Sequence, residues 1–572
     1  MQHFLVNSFE KLREYRHNCN NEQESVIYTR LKMKGIAQTQ SFTDLIDSGY
    51  IYIDKTREIS KLLMNRRVFI SRPRRFGKSL MLDTIGTLFE QGTEPYFRGT
   101  WIYDKWTEER YPVLRLNFLN FSCTDYKEFC TDFDDTLSKF ARLNGIDYVS
   151  KDLPRRSMIS LFDSLRLKKQ KIVILIDEYD AQLAANINNP ELYEQFRISL
   201  RELYGAVKGE PLVRFLCAAG VTRLKDVSIF SAGSDILDVS YASEIATITG
   251  FTREELGKYY ADYINLAVSA DKGMQEAQVT EELRDQLLDR LAEEYDGYSF
   301  DETNRVKVFS TWSVNSFFLN VWKKGYVAFG NYWYENGGIP TILANYFKGH
   351  KLEVSDFNVP VYVETENFLN PSSLLSIDQN ILMCQTGYLT LDSDLSGYSV
   401  ILKTPNKEVQ RALARLVSTR IFSAYLESKP DYRSVFYKGD AESIVSELNR
   451  MFNSLSYERY PIKNEKEVQN YIHVFMMGGN LPVSTEIQNA TGRSDIVIEY
   501  DRRRIVLELK YADTASECGK KLKEASEQIK SRKYGETLPS KPVLRLALVF
   551  NGDSKVRQFT RWSSVDESEP AS

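Results

Sequence analysis

Two groups of polar residues in this sequence have the types and spacing that act on phosphate groups, one in the N-terminal half and one near the C terminus. The first begins at Arg67, where an apolar segment runs into the basic loop RPRRF, then Gly77-Lys78-Ser79, then an amphipathic helix. At such a helix start, backbone N–H groups face an anion, a lysine reaches the β- and γ-phosphates, and a hydroxyl binds Mg²⁺. We therefore predict that Lys78 and Ser79 bind the phosphates and the metal ion of a nucleotide.

One position departs from the usual phosphate-binding loop, because the glycine expected five residues before Gly77 is Arg72. The tripeptide Gly-Lys-Ser is short, so alone it is weak support for nucleotide binding. A solvated basic turn is the alternative interpretation of the run RPRR.

A second acidic motif supports the nucleotide interpretation. The segment KIVILIDEYD (171–180) is a continuous apolar strand that ends in adjacent carboxylates, as buried parallel strands do. Asp177 at the end of the strand can hold Mg²⁺, and Glu178 can orient and deprotonate the attacking water. The alternative is a core strand followed by an ordinary acidic turn.

Two more strands are predicted, PVLRLNFLNFS (112–122) and LVRFLCAAGVTR (212–223). This order of strands is that of the additional-strand ATPases, the AAA+ and STAND types. In such folds a polar residue that leaves the fourth strand senses the γ-phosphate, and here Thr222 and Arg223 stand at that place.

Several longer segments carry a family resemblance: GYIYIDKTREISKLL, VFISRPRRFGKSLMLDTI, YFRGTWI, YPVLRLNF and ILIDEYDAQL. Together they resemble the bacterial AAA-ATPase-like family, which is often fused to a PD-(D/E)XK nuclease-like domain. The loop RPRRFGKS is that family's own variant, so Arg72 no longer argues against nucleotide binding. The resemblance continues to PNKEV (405–409). It implies bound ATP and Mg²⁺, and a nucleotide site made of Arg74, Arg75, Phe76, Gly77, Lys78, Ser79, Leu80, Asp177, Thr222 and Arg223. Arg74 and Arg75 would hold phosphate or act on a neighbouring subunit.

The second group lies in the segments DIVIEY and RIVLELK, two predicted strands joined by a charged turn. Side chains alternate along a strand, so Glu508 and Lys510 share a face, and the hairpin can bring Asp495 opposite them. Two carboxylates and a lysine suit Mg²⁺-dependent phosphodiester hydrolysis, with Asp495 and Glu508 as the metal ligands. A Glu-x-Lys pair alone is weak, because such alternation is common on exposed strands.

The combination of GRSD with LELK resembles the PD-(D/E)XK core at Asp495, Glu508 and Lys510. The resemblance further implies that Glu486 is an additional acidic residue and that Gln528 is a glutamine near the active site. The alternative is a degenerate copy of the fold that binds without cutting.

Composition is that of a soluble protein, with 42% apolar residues and a net charge of −4. The six cysteines lack CxxC spacing and the four histidines do not cluster, which argues against a zinc site or disulfide framework. The sequence has no signal peptide and no apolar run of transmembrane length, so we predict a cytoplasmic protein with no membrane association.

The distribution of charge favours a nucleic-acid partner, with DNA preferred. Residues 491–560 contain 15 Lys and Arg against 10 Asp and Glu. Three basic runs could follow a phosphate backbone: 502–504, 520–523 and 530–533. Solvated surface is the alternative for each run.

The predicted fold class is α/β, with a P-loop additional-strand (AAA+/STAND-like) ATPase core and a C-terminal α/β PD-(D/E)XK nuclease-like domain. The short strand IATITGF would close the core. The predicted divisions are a polar arm at 1–34, the ATPase core at 35–250, a helical lid at 251–305, a winged-helix-like module at 306–405, a helical connector at 406–462, the nuclease-like domain at 463–562 and a disordered tail at 563–572.

The function predicted from these features is an ATP-binding and ATP-hydrolysing protein that controls a Mg²⁺-dependent nuclease. Three alternatives stay open. The first is a non-cutting nucleic-acid-binding switch, the second an NTP-controlled signalling protein or scaffold, and the third a phage-defence or toxin-like effector nuclease. Assembly as a homo-oligomer is also open.

Overall fold

The structure of the chain is a computed structural model that describes residues 33–225, 235–335, 340–349, 360–422, 425–426, 432–458, 460–489, 492–500, 502–532 and 541–565. The side chains of residues 334–335, 348–349, 486–489 and 492 are outside this description. The predicted N-terminal arm lies almost entirely outside the described residues. Within the described part of the chain, no helix has the length and apolar character needed to cross a membrane.

A five-stranded parallel sheet forms the centre of the N-terminal region. Its strands, in chain order, are β1 (Arg67–Ser71), β2 (Val113–Asn117), β3 (Ile172–Asp177), β4 (Val213–Gly220) and β5 (Leu237–Asp238). They lie in the order β2-β3-β4-β1-β5, so β4 is inserted between the P-loop strand and the strand that carries the acidic pair. This is the additional-strand order that the sequence predicted.

Helices cover both faces of this sheet because its strands are apolar on both sides. The helices are α1 (Phe42–Asp47), α2 (Thr56–Leu62), α3 (Lys78–Gln91), α4 (Tyr126–Leu143), α5 (Pro154–Leu167), α6 (Ala181–Ala185) and α7 (Pro190–Val207). Val68 and Ile70 of β1 pack with α2 and α3, whereas Phe69 between them faces the core formed with α4, α5 and α7. Because side chains alternate along a strand, the residues of β1 belong to two separate cores, one on each face of the sheet.

The predicted strand IATITGF is wrong. Residues Ser243–Ile245 form a 3₁₀ turn, and only Phe251 at the end of the segment makes a β-bridge, to Phe309. Ile245 and Ile248 are apolar because they fill the core beneath α2 and β1. A buried turn therefore has the same pattern of apolar residues as a buried strand.

The helical lid contains α8 (Arg253–Tyr259), α9 (Ala261–Lys272), α10 (Glu281–Tyr295) and α11 (Thr311–Lys324). The buried face of α11, which includes Val314, Phe317 and Val321, belongs to the same apolar core as α8 to α10. The predicted boundary at 305–306 therefore cuts through one helical core, which extends to Tyr332.

The next region contains α12 (Tyr332–Glu335), α13 (Thr341–Gly349), β6 (Val361–Glu364), α14 (Thr365–Leu369), α15 (Gln379–Gln385), β7 (Thr390–Leu391) and β8 (Ser399–Lys403). Its three strands form a small antiparallel sheet in the order β6-β8-β7. The winged-helix-like module stays a prediction for this region, which combines short helices with the antiparallel pair β7 and β8. The helices α16 (Lys407–Ile421), α17 (Arg433–Lys438) and α18 (Ala441–Asn453) lead from it to the C-terminal domain.

The C-terminal domain contains α19 (Glu465–Gly478), β9 (Val483–Asn489), β10 (Gly492–Glu499), β11 (Arg504–Ala512), α20 (Cys518–Ser531), β12 (Val543–Asn551) and β13 (Gln558–Ser564). The strands lie in the order β13-β12-β11-β10-β9, with only β11 and β12 parallel. Helix α19 packs on one face of the sheet and α20 on the other. Strand β13 extends to Ser564, so the first two residues of the predicted tail are paired, while residues 566–572 lie outside the described part.

Candidate functional site

The N-terminal candidate site lies where β1 ends and α3 begins. Gly77 caps the helix with φ of +91°, a left-handed conformation that glycine adopts without steric cost. Lys78 and Ser79 open the helix, and the Ser79 hydroxyl donates a hydrogen bond to Oδ2 of Asp177 at 2.6 Å. The hydroxyl and the carboxylate predicted to share a metal ion are therefore adjacent.

The side chain of Lys78 contacts the preceding loop and is almost fully buried. Its Nζ donates to the main-chain carbonyls of Arg72 and Pro73 at 3.0 and 3.2 Å, and it lies 3.8 Å from Oε1 of Glu178. Burial, together with neighbouring Glu178, raises the pKa of Asp177. The structure thus brings a lysine, a hydroxyl and two carboxylates together, which is the set needed to bind a phosphate chain with a divalent cation.

A cavity of about 660 Å³ opens beside these residues. Its lining includes every loop residue from Arg74 to Leu80, and Glu178. The lining also includes the segment 37–40, residues 51–53 and the side chains of Tyr260 and Trp312. A cavity of this size, lined by both polar and aromatic side chains, can hold a nucleotide.

Two side chains of the phosphate loop, those of Arg75 and Phe76, line the cavity and also contact residues beyond the ATPase core. Arg75 lies over the ring of Trp312 at 4.7 Å and donates to the carbonyl of Tyr332 at 3.2 Å. Phe76 is buried against the rings of Tyr298 and Trp333. Of the predicted phosphate-binding residues, Phe76 therefore has a mainly structural environment.

Arg72 is also part of the interior. Its guanidinium donates to the carbonyls of Ser71 and Ser240 and to the hydroxyl of Thr249, and it lies 4.3 Å from the centre of the Phe300 ring. Burial lowers the pKa of Arg72 to about 9. The arginine at the consensus glycine position thus anchors the loop to the sheet and the lid.

The structure does not bring Thr222 and Arg223 to the cavity. Thr222 is fully buried, and both its N–H and its hydroxyl donate to Oδ2 of Asp180. Arg223 is paired with Asp238 of strand β5. Asp180, which the sequence analysis did not single out, holds this turn, and burial raises its pKa.

The C-terminal candidate site joins Asp495 of β10 with Glu508 and Lys510 of β11. Oδ2 of Asp495 accepts a hydrogen bond from the main-chain N–H of Leu509 at 2.7 Å. Lys510 Nζ lies 3.2 Å from Oε1 of Glu508. The hairpin register therefore places the three predicted residues in one cluster.

The Glu508 carboxylate has an unusual environment. It is fully buried, and its Oε2 atom has no hydrogen-bond partner among the residues that the structure describes. Burial and the nearby Asp495 raise the pKa of Glu508 to about 8. Burial works against the charge on Lys510, but the carboxylates of Glu508, Glu465 and Asp495 outweigh it and raise the pKa of Lys510. A buried carboxylate oxygen of this kind, next to a second carboxylate, has the chemistry of a divalent-cation ligand.

A residue that the sequence analysis missed also contacts this cluster. Oε1 of Glu465, in the first turn of α19, lies 3.3 Å from Lys510 Nζ. No strand motif marks this glutamate, and the only sequence signal is Asn464 followed by an acidic first turn, which is common at helix starts.

For the two remaining predicted site residues, Glu486 and Gln528, the structure gives the element that carries each residue. Glu486 lies in β9, but its side chain is outside the described part. Gln528 is half-buried in α20, the helix that packs against Val506 and therefore covers the sheet face to which alternation assigns Glu508.

Two of the arginines assigned to a nucleic-acid backbone bind protein groups instead. Arg503 donates to the carbonyl of Gly439 at 2.9 Å, and Arg504 pairs with Glu499. Lys520 is exposed on α20 and Lys521 is half-buried there, each close to Glu524. The helix is thus a better candidate for backbone contact than the strand turn.

Comparison with known proteins agrees with this division of the chain. Residues 36–230 match the family model described as "Predicted AAA-ATPase", and residues 463–560 match that of the "PD-(D/E)XK nuclease superfamily". A protein of Azotobacter chroococcum mcd 1, described as "Uncharacterized protein in vnfD 5'region", is 26% identical over 523 residues, covering 88% of this chain and 94% of its own. The chain therefore combines an AAA-ATPase-like domain with a C-terminal domain of the PD-(D/E)XK nuclease superfamily.

Proposed function

We propose that this protein is a Mg²⁺-dependent nuclease whose activity is controlled by ATP binding and hydrolysis in its N-terminal domain. The observation that carries the proposal is the buried Oε2 atom of Glu508, which lies beside Asp495 and Lys510 and has no hydrogen-bond partner in the described part of the chain. A structural strand has no reason to bury such a group, because leaving a carboxylate oxygen unpaired is costly.

Asp495 and Glu508 would hold Mg²⁺, with Glu465 close enough to hold Lys510 in place. When bound, Mg²⁺ activates water and neutralises charge on the scissile phosphate. Lys510 would stabilise the negative charge that develops on that phosphate, since its ammonium group is held at the cluster by two carboxylates.

In the N-terminal domain, Lys78 would exchange its loop carbonyls for the β- and γ-phosphates of ATP. Ser79 and Asp177, already in contact, would bind the Mg²⁺ ion of the nucleotide, and Glu178 would orient and deprotonate the attacking water. Arg74 and Arg75 are proposed to contact phosphate. Thr222 and Arg223 are not, because their partners in the structure are Asp180 and Asp238.

Control of one site by the other is supported by a continuous series of contacts. It begins at Phe76 in the phosphate loop, which packs on Trp333. The main-chain N–H of Trp333 donates to Oε1 of Glu408 at 2.9 Å, and Oε2 of Glu408 accepts from Ser313 of the lid at 2.7 Å. Glu408, at the start of α16, therefore connects that helix to Trp333, which packs on the phosphate loop, and to Ser313 of the lid.

The second half of the series runs along two helices. Helix α16 packs lengthwise on α19, with Phe422 against Phe475 and Gly478 close to Ala414. The first turn of α19 carries Glu465, which contacts Lys510. A shift of α16 caused by nucleotide would therefore reach the nuclease cluster through α19.

DNA is the favoured substrate, because the C-terminal domain has a surplus of basic residues and because the exposed lysines of α20 can contact a phosphate backbone. The protein would act in the cytoplasm. It could also assemble as a homo-oligomer in which Arg75 acts on a neighbouring subunit. Recovery of ATPase activity on mixing Arg75→Ala with Lys78→Ala subunits would support such an assembly.

The proposal is tested by measuring Mg²⁺ binding calorimetrically, together with cleavage of plasmid, linear and single-stranded DNA and of RNA. Asp495→Ala and Glu508→Ala should each lose Mg²⁺ binding and cleavage. Lys510→Met should keep Mg²⁺ binding and lose cleavage by about 100-fold or more, since only transition-state charge is affected.

Two results separate the alternatives. Mg²⁺ binding without cleavage of any substrate, in the presence or absence of ATP, would replace the nuclease with a non-cutting nucleic-acid switch. Toxicity on expression that disappears with Lys510→Met would indicate an effector that cuts host nucleic acid.

A further inference from the structure

The amide of Gln469 is a buried polar group one turn after Glu465 on α19, and the chemistry assigned above does not use it. Only 3% of the residue is exposed. Its Nε2 donates to the main-chain carbonyl of Asp495 at 2.8 Å, and its Oε1 accepts from Nζ of Lys466 at 3.2 Å. Because both ends of the amide are engaged, its orientation is fixed.

Asp495 is consequently held at two points. Its carboxylate accepts from the N–H of Leu509, which lies between Glu508 and Lys510 on β11. Its carbonyl accepts from Gln469 on α19. The first contact ties Asp495 to the strand that carries the other two residues, and the second ties it to the helix that carries Glu465.

We propose that Gln469 is a positioning residue of the nuclease site, which keeps the main chain at Asp495 in place so that its carboxylate and that of Glu508 can share a divalent cation. This inference rests on the proposed function. A residue that orients a metal ligand typically contributes 10- to 100-fold in metal affinity or activity, and small displacements of catalytic groups have effects of similar size.

The test compares Gln469→Met, which keeps the side-chain length and removes the donor, with Asn449→Leu. Asn449 is a matched control, because it is an amide on α18 that bonds to both the N–H and the carbonyl of Phe559 on β13 of the same domain. Three quantities are measured on the full-length protein: Mg²⁺ affinity by calorimetry, the Mg²⁺ dependence of cleavage, and hydrogen exchange of the peptide that contains Leu509.

We expect Gln469→Met to weaken Mg²⁺ affinity by about 10-fold or more and to speed exchange at Leu509, because Asp495 moves away from that N–H. Asn449→Leu should lower thermal stability and leave Mg²⁺ affinity and the Leu509 peptide unchanged. Gln469→Glu should resemble Gln469→Met, since a carboxylate cannot donate to the Asp495 carbonyl.

Two results would overturn the role of Gln469 while leaving the nuclease in place: wild-type Mg²⁺ affinity in Gln469→Met, or an equal loss in Asn449→Leu. If the wild-type protein itself binds no Mg²⁺ and cuts nothing, the proposed function fails, and the role of Gln469 fails with it. These outcomes are distinguishable because the wild type is measured first.

Discussion

At the scale of single residues, Arg72 shows how a departure from a motif can be structural. It occupies the position of a consensus glycine, yet its guanidinium is buried under three hydrogen bonds and the ring of Phe300. Its own N–H donates to Gly220 of β4. The loop is therefore held by a side chain, where a glycine-rich loop depends on backbone conformation alone.

Arg72→Gly, which restores the consensus, should destabilise the protein by on the order of 3 kcal/mol, because the carbonyls of Ser71 and Ser240 lose their charged donor. It should not tighten nucleotide binding. Thermal unfolding and ATP binding by calorimetry check both expectations. Arg74→Gly is the comparison, since Arg74 is half-buried and lines the cavity, and here the larger loss should be in nucleotide affinity. A stable Arg72→Gly protein would contradict the anchoring role.

Glu408 gives a second prediction, on pH. Burial raises its pKa to about 7 from an ordinary 4.5, with the nearby positive charge of Arg411 limiting the shift. Between these values the folded state holds a proton that the unfolded state releases, so this contribution to stability falls as pH rises from about 4.5 to 7.

Glu408→Gln removes this titration and keeps the acceptor for Trp333. The variant and the wild type should unfold at similar temperatures near pH 5, whereas above pH 7 the variant should be the more stable by up to about 3 kcal/mol. Thermal unfolding across pH 5 to 8 measures the difference. An unchanging difference between the two proteins would contradict the burial of this carboxylate.

At the scale of elements, α16 and α19 approach each other closely at Gly478. A Cβ atom at Gly478 would lie 2.6 Å from Cβ of Ser418 and 2.8 Å from the carbonyl of Ala414. Neither neighbour is the end of a flexible side chain, so any larger residue must separate the two helices.

Gly478→Ala should therefore alter the position of α19 and remove the effect of ATP on cleavage. ATP hydrolysis should persist, because the change is remote from the phosphate loop, and stability should fall by about 1–3 kcal/mol. Gly519→Ala in α20 is the matched control, since no atom lies within 4 Å of its new Cβ. If Gly478→Ala keeps the wild-type response to ATP, control does not pass through this helix pair.

The elements that the sequence predicted best are those with continuous apolar strands. The strands that carry Asp177 and Glu508 were recognised because both are apolar up to the acidic residue, and their order followed from the resemblance. The segment IATITGF was misread because a buried turn is as apolar as a strand. The extent of the lid was misjudged because α11 joins it only through packing, which the sequence does not reveal.

The same distinction holds for the candidate sites. Lys78, Ser79, Asp177 and Glu178 are close in space because they lie at the same edge of the parallel sheet, after β3 or at the start of the helix that follows β1. This is a consequence of topology that motifs capture. Thr222 contacts Asp180, which comes from another loop and which the motif does not indicate. Glu465 and Gln469 could not be predicted, since a contact between a helix and a strand depends on how they pack and leaves no spacing to recognise.

At the scale of the whole molecule, the two sites lie in domains at opposite ends of the sequence but are joined by contacts from Phe76 to Lys510. The intervening elements are packed together, and Glu408 and Gly478 are two points of that series at which a substitution can test it. The nuclease fragment beginning at residue 463 would lose α16 and expose the face of α19 that carries Phe475. A fragment that begins near residue 406 keeps that pair and is the better test of the isolated domain.

The most direct test of the central claim is the rate of DNA cleavage in Mg²⁺, with and without ATP, by the wild type, Lys78→Ala and Asp495→Ala. The account predicts that ATP changes the rate of the wild type, that Lys78→Ala cuts at a rate indifferent to ATP because it cannot bind the phosphates, and that Asp495→Ala does not cut under either condition. Cleavage that survives Asp495→Ala, or a wild-type rate that is the same with and without ATP, would contradict it.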